Sequence, residues 1–469
     1  MSTPAAAPAG RVSFFSAWLP APAPVLTLAL TLALAGCVVQ PRPQASTSTE
    51  AAPLAIACPD GLPAATRCLG GTDSAGAHYL IAMPPDWNGH LVLHAHGGPA
   101  LGPPKAERVV EDLKRWAVVV KAGYAWAGSG FAQGGVAVRA AAEDTERLRR
   151  IFRAHVAMPQ RTILHGQSWG AGVAAKGAEM FTAAGNGGVA PYDAVLLTSG
   201  VLAGGSRAYD FRLDLRVVYQ YLCNNHPRPD EPAYPLWMGL PESSKMSQAQ
   251  LAQRTRECLG LGLPAAQRTP QQAERLASIA RVIRIPESSV QGHLNWATFH
   301  FRDIATRSGG RSVFGNTGAR YQGSADDDAL NAGVLRYRAD PTALAAFAAD
   351  TDPTGRIPVP VLQAHAVDDP IAFVEMAQAF GQTMAEAGAG ARLVQVFTAE
   401  KEHSYWQDAD YVALLAALQA WLDQGQRPTA EAVLQRCAAL QARYGPGCHF
   451  QPGFQPAPLA SRIAVRESP

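Results

Sequence analysis

The chain has 469 residues, 48% of them hydrophobic, and a formal net charge of +2. That is enough apolar material for a large buried core, and it fits one large domain plus an elaborate insertion. Near-neutral charge without a basic block or an acidic tract argues against nucleic acid as a partner and against long-range steering of a highly charged substrate.

The first residues read as a targeting segment. Arg11 is the only charged side chain ahead of the apolar run Val25–Leu34, which has signal-peptide length and is short for a bilayer span. Leu34-Ala35-Gly36-Cys37 resembles the bacterial lipoprotein cleavage box. That resemblance implies that residues 1–36 are a lipoprotein signal peptide and that Cys37 is acylated. It also implies a lipid anchor at the bacterial cell envelope, with Val38 after the cysteine pointing to the outer membrane. Residues 37–56, rich in Pro, Ser, Thr and Ala, read as a flexible tether. Six cysteines remain beyond Cys37: Cys58, Cys68, Cys223, Cys258, Cys437 and Cys448. An even count suits an oxidising compartment, and neighbour pairing is the simplest connectivity. No two of them have the two-residue gap of a zinc site, so no metal is expected.

From 57 to 202 the pattern alternates. Tyr79–Met83 reads as a strand, Trp87-Asn88-Gly89 as a turn, and Leu91-Val92-Leu93-His94 as a strand running into the glycine-rich loop His96-Gly97-Gly98-Pro99. Glu107–Ala122 is expected to be one amphipathic helix, with the next strand beginning at Gly123-Tyr124-Ala125-Trp126. Ala137–His155 reads as a helix with Glu143, Asp144, Glu146, Arg147, Arg149 and Arg150 on a solvated face. Thr162-Ile163-Leu164-His165 is a short buried strand, Ala171–Ala184 a small-residue helix, and Ala194–Thr198 another strand. This order predicts an α/β fold with a mostly parallel sheet covered by helices.

The alternation then stops for about 150 residues, far too long for a connection, so 203–357 should be a domain-like insertion. It contains Tyr219, Tyr221, Tyr234, Trp237, Trp296, Phe299 and Phe301, candidates for an apolar pocket or for the insertion's own core. Asp326-Asp327-Asp328 reads as a solvated turn, because it lacks the spaced ligands of a calcium loop. The strand–helix pattern resumes over 358–425. Pro358–His365 is a strand leading to Asp368-Asp369-Pro370, Leu393–Phe397 a strand leading to His403, and Asp410–Leu422 a helix. Residues 426–469 form a C-terminal extension expected to fold back onto the surface.

Gly166-Gln167-Ser168-Trp169-Gly170 lies between a strand and a helix, and no other serine has glycine two residues away on both sides. A serine at such a turn needs a strained backbone, and the glycines let the chain pass itself. Candidate partners follow in the order serine, acid, histidine, each just past the end of a strand, where open α/β sheets place their chemistry.

On these motifs the chain resembles the α/β-hydrolase superfamily, from about Tyr79 to Leu422. The resemblance implies the α/β-hydrolase fold, with the insertion as a large, mainly helical cap. It casts Ser168 as nucleophile, His403 as general base and Asp369 as the acid, with Asp368 as fallback. The N–H groups of Gly98 and Trp169 are the implied oxyanion hole. His96 is expected to brace the oxyanion loop, His94 and His165 to be structural, and His293 and His300 are candidate substrate contacts. No cysteine adjoins Ser168 or His403, unlike tannase-like esterases, which tie those neighbours together.

The expected activity is a serine hydrolase cleaving a carboxylic ester through an acyl-enzyme, without a cofactor. One alternative is a serine aminopeptidase, because the same motifs are similar to the proline iminopeptidase group. Glu231 or Glu242 would then anchor the substrate amine, although Ala100-Leu101-Gly102 departs from that group's loop. A non-catalytic envelope binding lipoprotein is the third reading.

Overall fold

Nine strands among the described residues form one sheet: β1 (Leu54–Ile56), β2 (Arg67–Thr72), β3 (His78–Met83), β4 (His90–Ala95), β5 (Ala125–Ser129), β6 (Arg161–Gln167), β7 (Ala194–Thr198), β8 (Val361–Ala366) and β9 (Leu393–Thr398). Their order across the sheet is β1-β2-β3-β5-β4-β6-β7-β8-β9. β1, β2, β3 and β5 pair antiparallel in sequence, and every pair from β5 through β4 to β9 is parallel. The computed structural model describes residues 50–182, 190–403 and 406–466, so the 1–36 signal segment and Cys37 lie outside the described residues.

The parallel strands are apolar on both faces because helices cover both. Val92 of β4, Ile163 of β6 and Leu196 of β7 pack on one side with Trp116, Leu414 and Val433. Their neighbours Leu93, Leu164 and Val195 pack on the other with Ile151, Phe152 and Ala174. Chain order breaks at β4, which sits between β5 and β6, and Ala95 at its end is in register with Gly166. The loop after β4 and the turn after β6 therefore emerge side by side.

Several expectations change. Leu54–Ile56, taken as the end of the tether, is an edge strand paired with β2. The helix expected over 107–122 is two, α1 (Ala106–Arg115) and α2 (Ala117–Lys121). Between them Trp116 leaves helical geometry and turns into the core against His94, His165 and Tyr411. α3 (Val138–His155) does not carry its charges on a solvated face: Asp144, Glu146 and Arg149 are buried. Glu146 accepts both arms of Arg149 at 2.7 Å, Nε of Arg150 at 3.0 Å and the Tyr192 hydroxyl at 2.9 Å. Burial is tolerated because these charges meet paired and hydrogen-bonded. α4 (Trp169–Met180) begins two residues earlier than the sequence indicated.

The regular elements of the insertion are all helical: α5 (Gly205–Ala208), α6 (Phe211–Cys223), α7 (Gln248–Leu259), α8 (Pro270–Ile283), α9 (Val290–Asn295), a π-turn at Trp296–His300, α10 (Phe301–Arg307), α11 (Asp327–Gly333) and α12 (Pro341–Thr351), besides short 3-10 turns. Asp326 caps α11 and Asp327 accepts three bonds from Gly323 and Ser324, so the acidic triplet is a helix start. α13 (Glu375–Glu386) and α14 (Asp408–Gln424) complete the sheet's cover.

In the extension, α15 (Ala430–Tyr444) packs on α14, but the tail beyond it does more than cover surface. Ile463 is buried among cap residues, and Arg466 reaches two cap aspartates. Three disulfides join sequence neighbours: Cys58–Cys68, Cys223–Cys258 and Cys437–Cys448.

Candidate active site

Ser168 stands alone between β6 and α4 with φ +57° and ψ −123°, a conformation L-residues avoid and that costs about 1–3 kcal/mol. Three backbone bonds hold it there: its N–H donates to Thr198 O at 3.0 Å, and its carbonyl accepts from Ala171 and Val201 N–H, both at 3.1 Å. The flanking glycines are steric requirements. A Cβ on Gly166 would lie 2.2 Å from the carbonyl oxygen of Gly170, and one on Gly170 would lie 2.1 Å from that of Ala95.

The imidazole of His403 links Ser168 to Asp369. Nε2 is 2.8 Å from Ser168 Oγ, and Nδ1–H donates to Asp369 at 2.8 Å (Oδ2) and 3.0 Å (Oδ1). A proton on Nδ1 leaves Nε2 as the acceptor for the serine hydroxyl. Asp369 is buried and also accepts Ile371 and Ala372 N–H, each at 2.9 Å. Burial pushes its carboxyl upward, but the charge and hydrogen bond of His403, with His365 and the backbone donors, outweigh that and hold it below the usual range. Asp368 is exposed, so of the two acids it is Asp369 that meets the histidine.

Trp169 is the first residue of α4, where helix N–H groups have no intrahelical acceptor and the dipole is positive. The contact of Gly170 with Ala95 and His96 carbonyls sets the β4 loop directly on this helix start, and the ring centres of His96 and Trp169 lie 6.4 Å apart. Gly98 has φ +69°. His96 donates Nδ1–H to Gly97 O at 2.9 Å, Arg108 donates to the same oxygen at 2.7 Å, and the His96 ring stacks on Phe131. Burial drives His96 down to about 3, so it braces the loop as a neutral ring.

No protein-family model matches the sequence, and no curated protein matches it. Solved structures give distant likenesses. An esterase from Aspergillus oryzae is 12% identical over 77% of this chain and 81% of that one, with a TM-score of 0.39. The tannin acyl hydrolase from Aspergillus niger is 10% identical over 81% and 83%, with 0.38. EstE1, a thermostable carboxylesterase cloned from a metagenomic library, is 15% identical over 81% and 91%, with 0.37. At these values the likenesses carry no argument. What decides is the chain's own sheet, with β4 displaced between β5 and β6, and a serine turn, an acid and a histidine after β6, β8 and β9. The chain has the α/β-hydrolase fold.

Within this hydrolase fold the cap histidines hold loops rather than standing open. His300 donates Nε2–H to Pro99 O at 3.0 Å, beside Gly98, and His293 donates Nε2–H to Pro370 O at 3.0 Å, beside Asp369. Burial lowers the ring of His293 to about 3. His365, read only as the end of a strand, is buried 3.7 Å from Asp369 Oδ2 and donates to Ala372 O at 2.7 Å, fixing the turn that carries the acid. His94 and His165 meet through Nδ1 at 3.1 Å and pack against Trp116; both are structural.

Of the cap aromatics, Tyr219 and Phe301 are fully buried core residues, Tyr221 is exposed, and Trp296 alone stacks on His300. Glu231 is bound to Arg254 and Glu242 is exposed. A cavity of about 590 Å³ between cap, α13 and the tail has no triad residue in its wall. A smaller one of about 270 Å³ opens beside the oxyanion loop, against His96, Pro99, Phe131 and Trp169. Asp410, Cys437 and Cys448 cluster within ligand distance, but the two sulfurs form a disulfide.

Proposed function

We propose that the protein is a serine hydrolase that cleaves a carboxylic ester through an acyl-enzyme on Ser168. The observation that carries this reading is the single imidazole of His403 at 2.8 Å from both Ser168 Oγ and the buried carboxylate of Asp369. As Oγ attacks the ester carbonyl, its proton passes to Nε2 of His403, and the oxyanion takes hydrogen bonds from the N–H groups of Gly98 and Trp169. The tetrahedral intermediate expels the alcohol oxygen, which takes the proton back from Nε2. Water then gives a proton to the same nitrogen, attacks the acyl carbon and releases the acid, and Ser168 regains its hydrogen. Asp369 holds the imidazole in the required tautomer and stabilises the imidazolium that forms.

Purified protein tested on short-chain p-nitrophenyl esters and aminoacyl-naphthylamides separates the readings. Ester cleavage lost in Ser168→Ala, with fluorophosphonate labelling of the native chain, supports the proposal. Amide cleavage that requires a free amine replaces it with the aminopeptidase, and inertness in all three assays with the binding lipoprotein. We also propose lipid anchoring through Cys37 at the outer membrane. Three disulfides suit the oxidising envelope compartment that this requires. Palmitate incorporation that survives Cys37→Ala would reject the anchor.

A further inference from the structure

α6 and the residue before it place four charges within two turns: Asp210, Arg212, Asp214 and Arg216, all buried. The two acids are four residues apart on one face, and both are taken by Arg466 of the tail, at 2.8 and 2.6 Å. The Tyr321 hydroxyl donates to Asp214 as well. The two arginines lie about 200° around the helix from the acids. Neither has a carboxylate within 4.0 Å among the described residues.

Arg212 is the one tied to the active site. Its guanidinium carbon lies 4.5 Å from the ring centre of Trp296, 4.6 Å from Phe211 and 5.3 Å from Tyr209. Trp296 stacks on His300, which holds the oxyanion loop, and Phe211 packs edge-on against His293, which holds the acid loop. The charges of Arg212, Asp369 and His403 all act on His293. Arg212 thus lies one ring away from both loop-holding histidines, from His300 through Trp296 and from His293 through Phe211. Its hydrogen bond among the described residues is from Nη1 to Ala208 O, a long 3.3 Å, while Nε is buried without a partner. Burial brings the group down only to about 10, so it is cationic at neutral pH.

A buried cation with no carboxylate in contact is costly, and stacking on aromatic rings together with the more distant charge of Asp210 offsets only part of that. A planar guanidinium with unused donors is the natural partner of a planar carboxylate, which it binds through two parallel bonds. Resting on the ester-hydrolase reading above, we propose that Arg212 selects esters bearing a second, unesterified carboxylate, paired with the guanidinium inside the Tyr209–Phe211–Trp296 cage while the ester carbonyl lies at Ser168. The substrate class is the monoester of a dicarboxylic acid, or a hydroxy- or hydroxyaryl-carboxylic acid acylated on its hydroxyl oxygen with its carboxylate free.

Two isosteric pairs test this and locate the carboxylate. p-Nitrophenyl hydrogen adipate against p-nitrophenyl hexanoate places the charge on the acyl side. p-Carboxymethylphenyl butyrate against p-ethylphenyl butyrate places it on the alcohol side. In one pair the native enzyme should favour the anionic ester in kcat/KM by at least about tenfold, what one charge-assisted hydrogen bond supplies. Arg212→Met should bring that ratio near unity, mostly through KM, whatever it does to absolute rates. Arg212→Lys, which keeps the charge and loses the fork, should fall between. Equal turnover within both pairs, or a preference that survives in a folded Arg212→Met protein, overturns the proposal and leaves the hydrolase reading intact. If none of the four esters is cleaved, that reading fails. Calorimetric binding of phenylacetate to the native chain but not to Arg212→Met then still supports the carboxylate site, and no binding to either removes it.

Discussion

Replacing Asp369 by Asn tests the hydrogen-bond directions on which the proposed chemistry depends. Oδ1 of Asp369 accepts the N–H groups of Ile371 and Ala372, both at 2.9 Å, so an asparagine must keep its carbonyl oxygen there. Its amide nitrogen then occupies the Oδ2 position, 2.8 Å from Nδ1 of His403. Two N–H groups cannot face each other, so the imidazole adopts the tautomer with its proton on Nε2, pointed at Ser168 Oγ. The general base is lost while the shape of the site is kept. A tautomer error of this kind costs about 10⁴-fold in kcat in a serine protease triad, equivalent to about 5.5 kcal/mol. Asp368→Asn, at an exposed position one residue away, should change kcat by less than about twofold, as surface substitutions do. Both variants are assayed with a p-nitrophenyl ester at pH 7, with thermal melts to confirm folding. An Asp369→Asn enzyme retaining more than about a tenth of native kcat, or an equal loss in Asp368→Asn, would refute this assignment of the acid.

Gly170→Ala forces a Cβ to within 2.1 Å of Ala95 O and 2.4 Å of His96 O, both backbone atoms. It should lower the unfolding free energy measured by urea titration by about 1–3 kcal/mol and cut kcat by moving the oxyanion loop off α4; native values would mean the loop and helix are not in contact. Removing Cys223–Cys258, which closes 35 residues within the insertion, through Cys223→Ser with Cys258→Ser should cost about 4 kcal/mol in denaturant titration under non-reducing conditions, and an unchanged titration would show that this bridge does not constrain the unfolded chain. On pH, burial depresses the rings of His90, His94, His96, His165, His293, His300 and His365. The unfolded chain therefore binds more protons at these sites below about pH 6.5, and acid destabilises the fold. Asp112, Asp410 and Asp210, raised by burial to about 6, 6 and 7, and Asp144 and Glu179, also raised by burial, bind protons in the fold and oppose this, but they are five against seven. Melting temperature should fall between pH 6.5 and 5, and a rise would show that the aspartates dominate.

The elements legible in the sequence are those whose cause is local or periodic. β4, β6 and β7 read as apolar runs because both their faces are buried, and Gly166 and Gly170 stand out because backbone atoms occupy the space a side chain would need. Ser168, Asp369 and His403, which the structure brings within hydrogen-bonding distance of one another, stood out through order along the chain and position after strands. What escaped the sequence has distant causes. Glu146 is buried because Tyr192, 46 residues on, covers it, and Asp210 because Arg466, 256 residues on, reaches it. Nothing in the periodicity of α3 or α6 distinguishes such charges from a solvated stripe. Arg212 escaped for the same reason, since a cation's lack of a partner is a property of the folded surroundings alone.

The histidines of the insertion show how it is tied to the loops around Ser168 and Asp369. His293 and His300 are seven residues apart in one continuous helical stretch, and residues at that spacing share a helix face about 10 Å apart along the axis. One ring holds the carbonyl after the triad acid, and the other holds the carbonyl beside the oxyanion glycine, 77 and 201 residues away in the chain. A single rigid segment therefore gauges the separation of two loops that the sheet alone joins only through β4, β6, β7 and β8. The stretch passes from α9 into a π-turn between the two histidines, and such turns rotate the residues beyond them relative to a regular helix. Its Trp296 lies in that turn, against both His300 and Arg212. The same local departure from α geometry thus sets the reach of His300 to the oxyanion loop and the placement of the aromatic face behind the guanidinium. Shifting this segment by a fraction of a turn would disturb loop geometry and carboxylate recognition together, which is why binding at Arg212 and turnover at Ser168 should respond jointly to substitutions in Val290–His300.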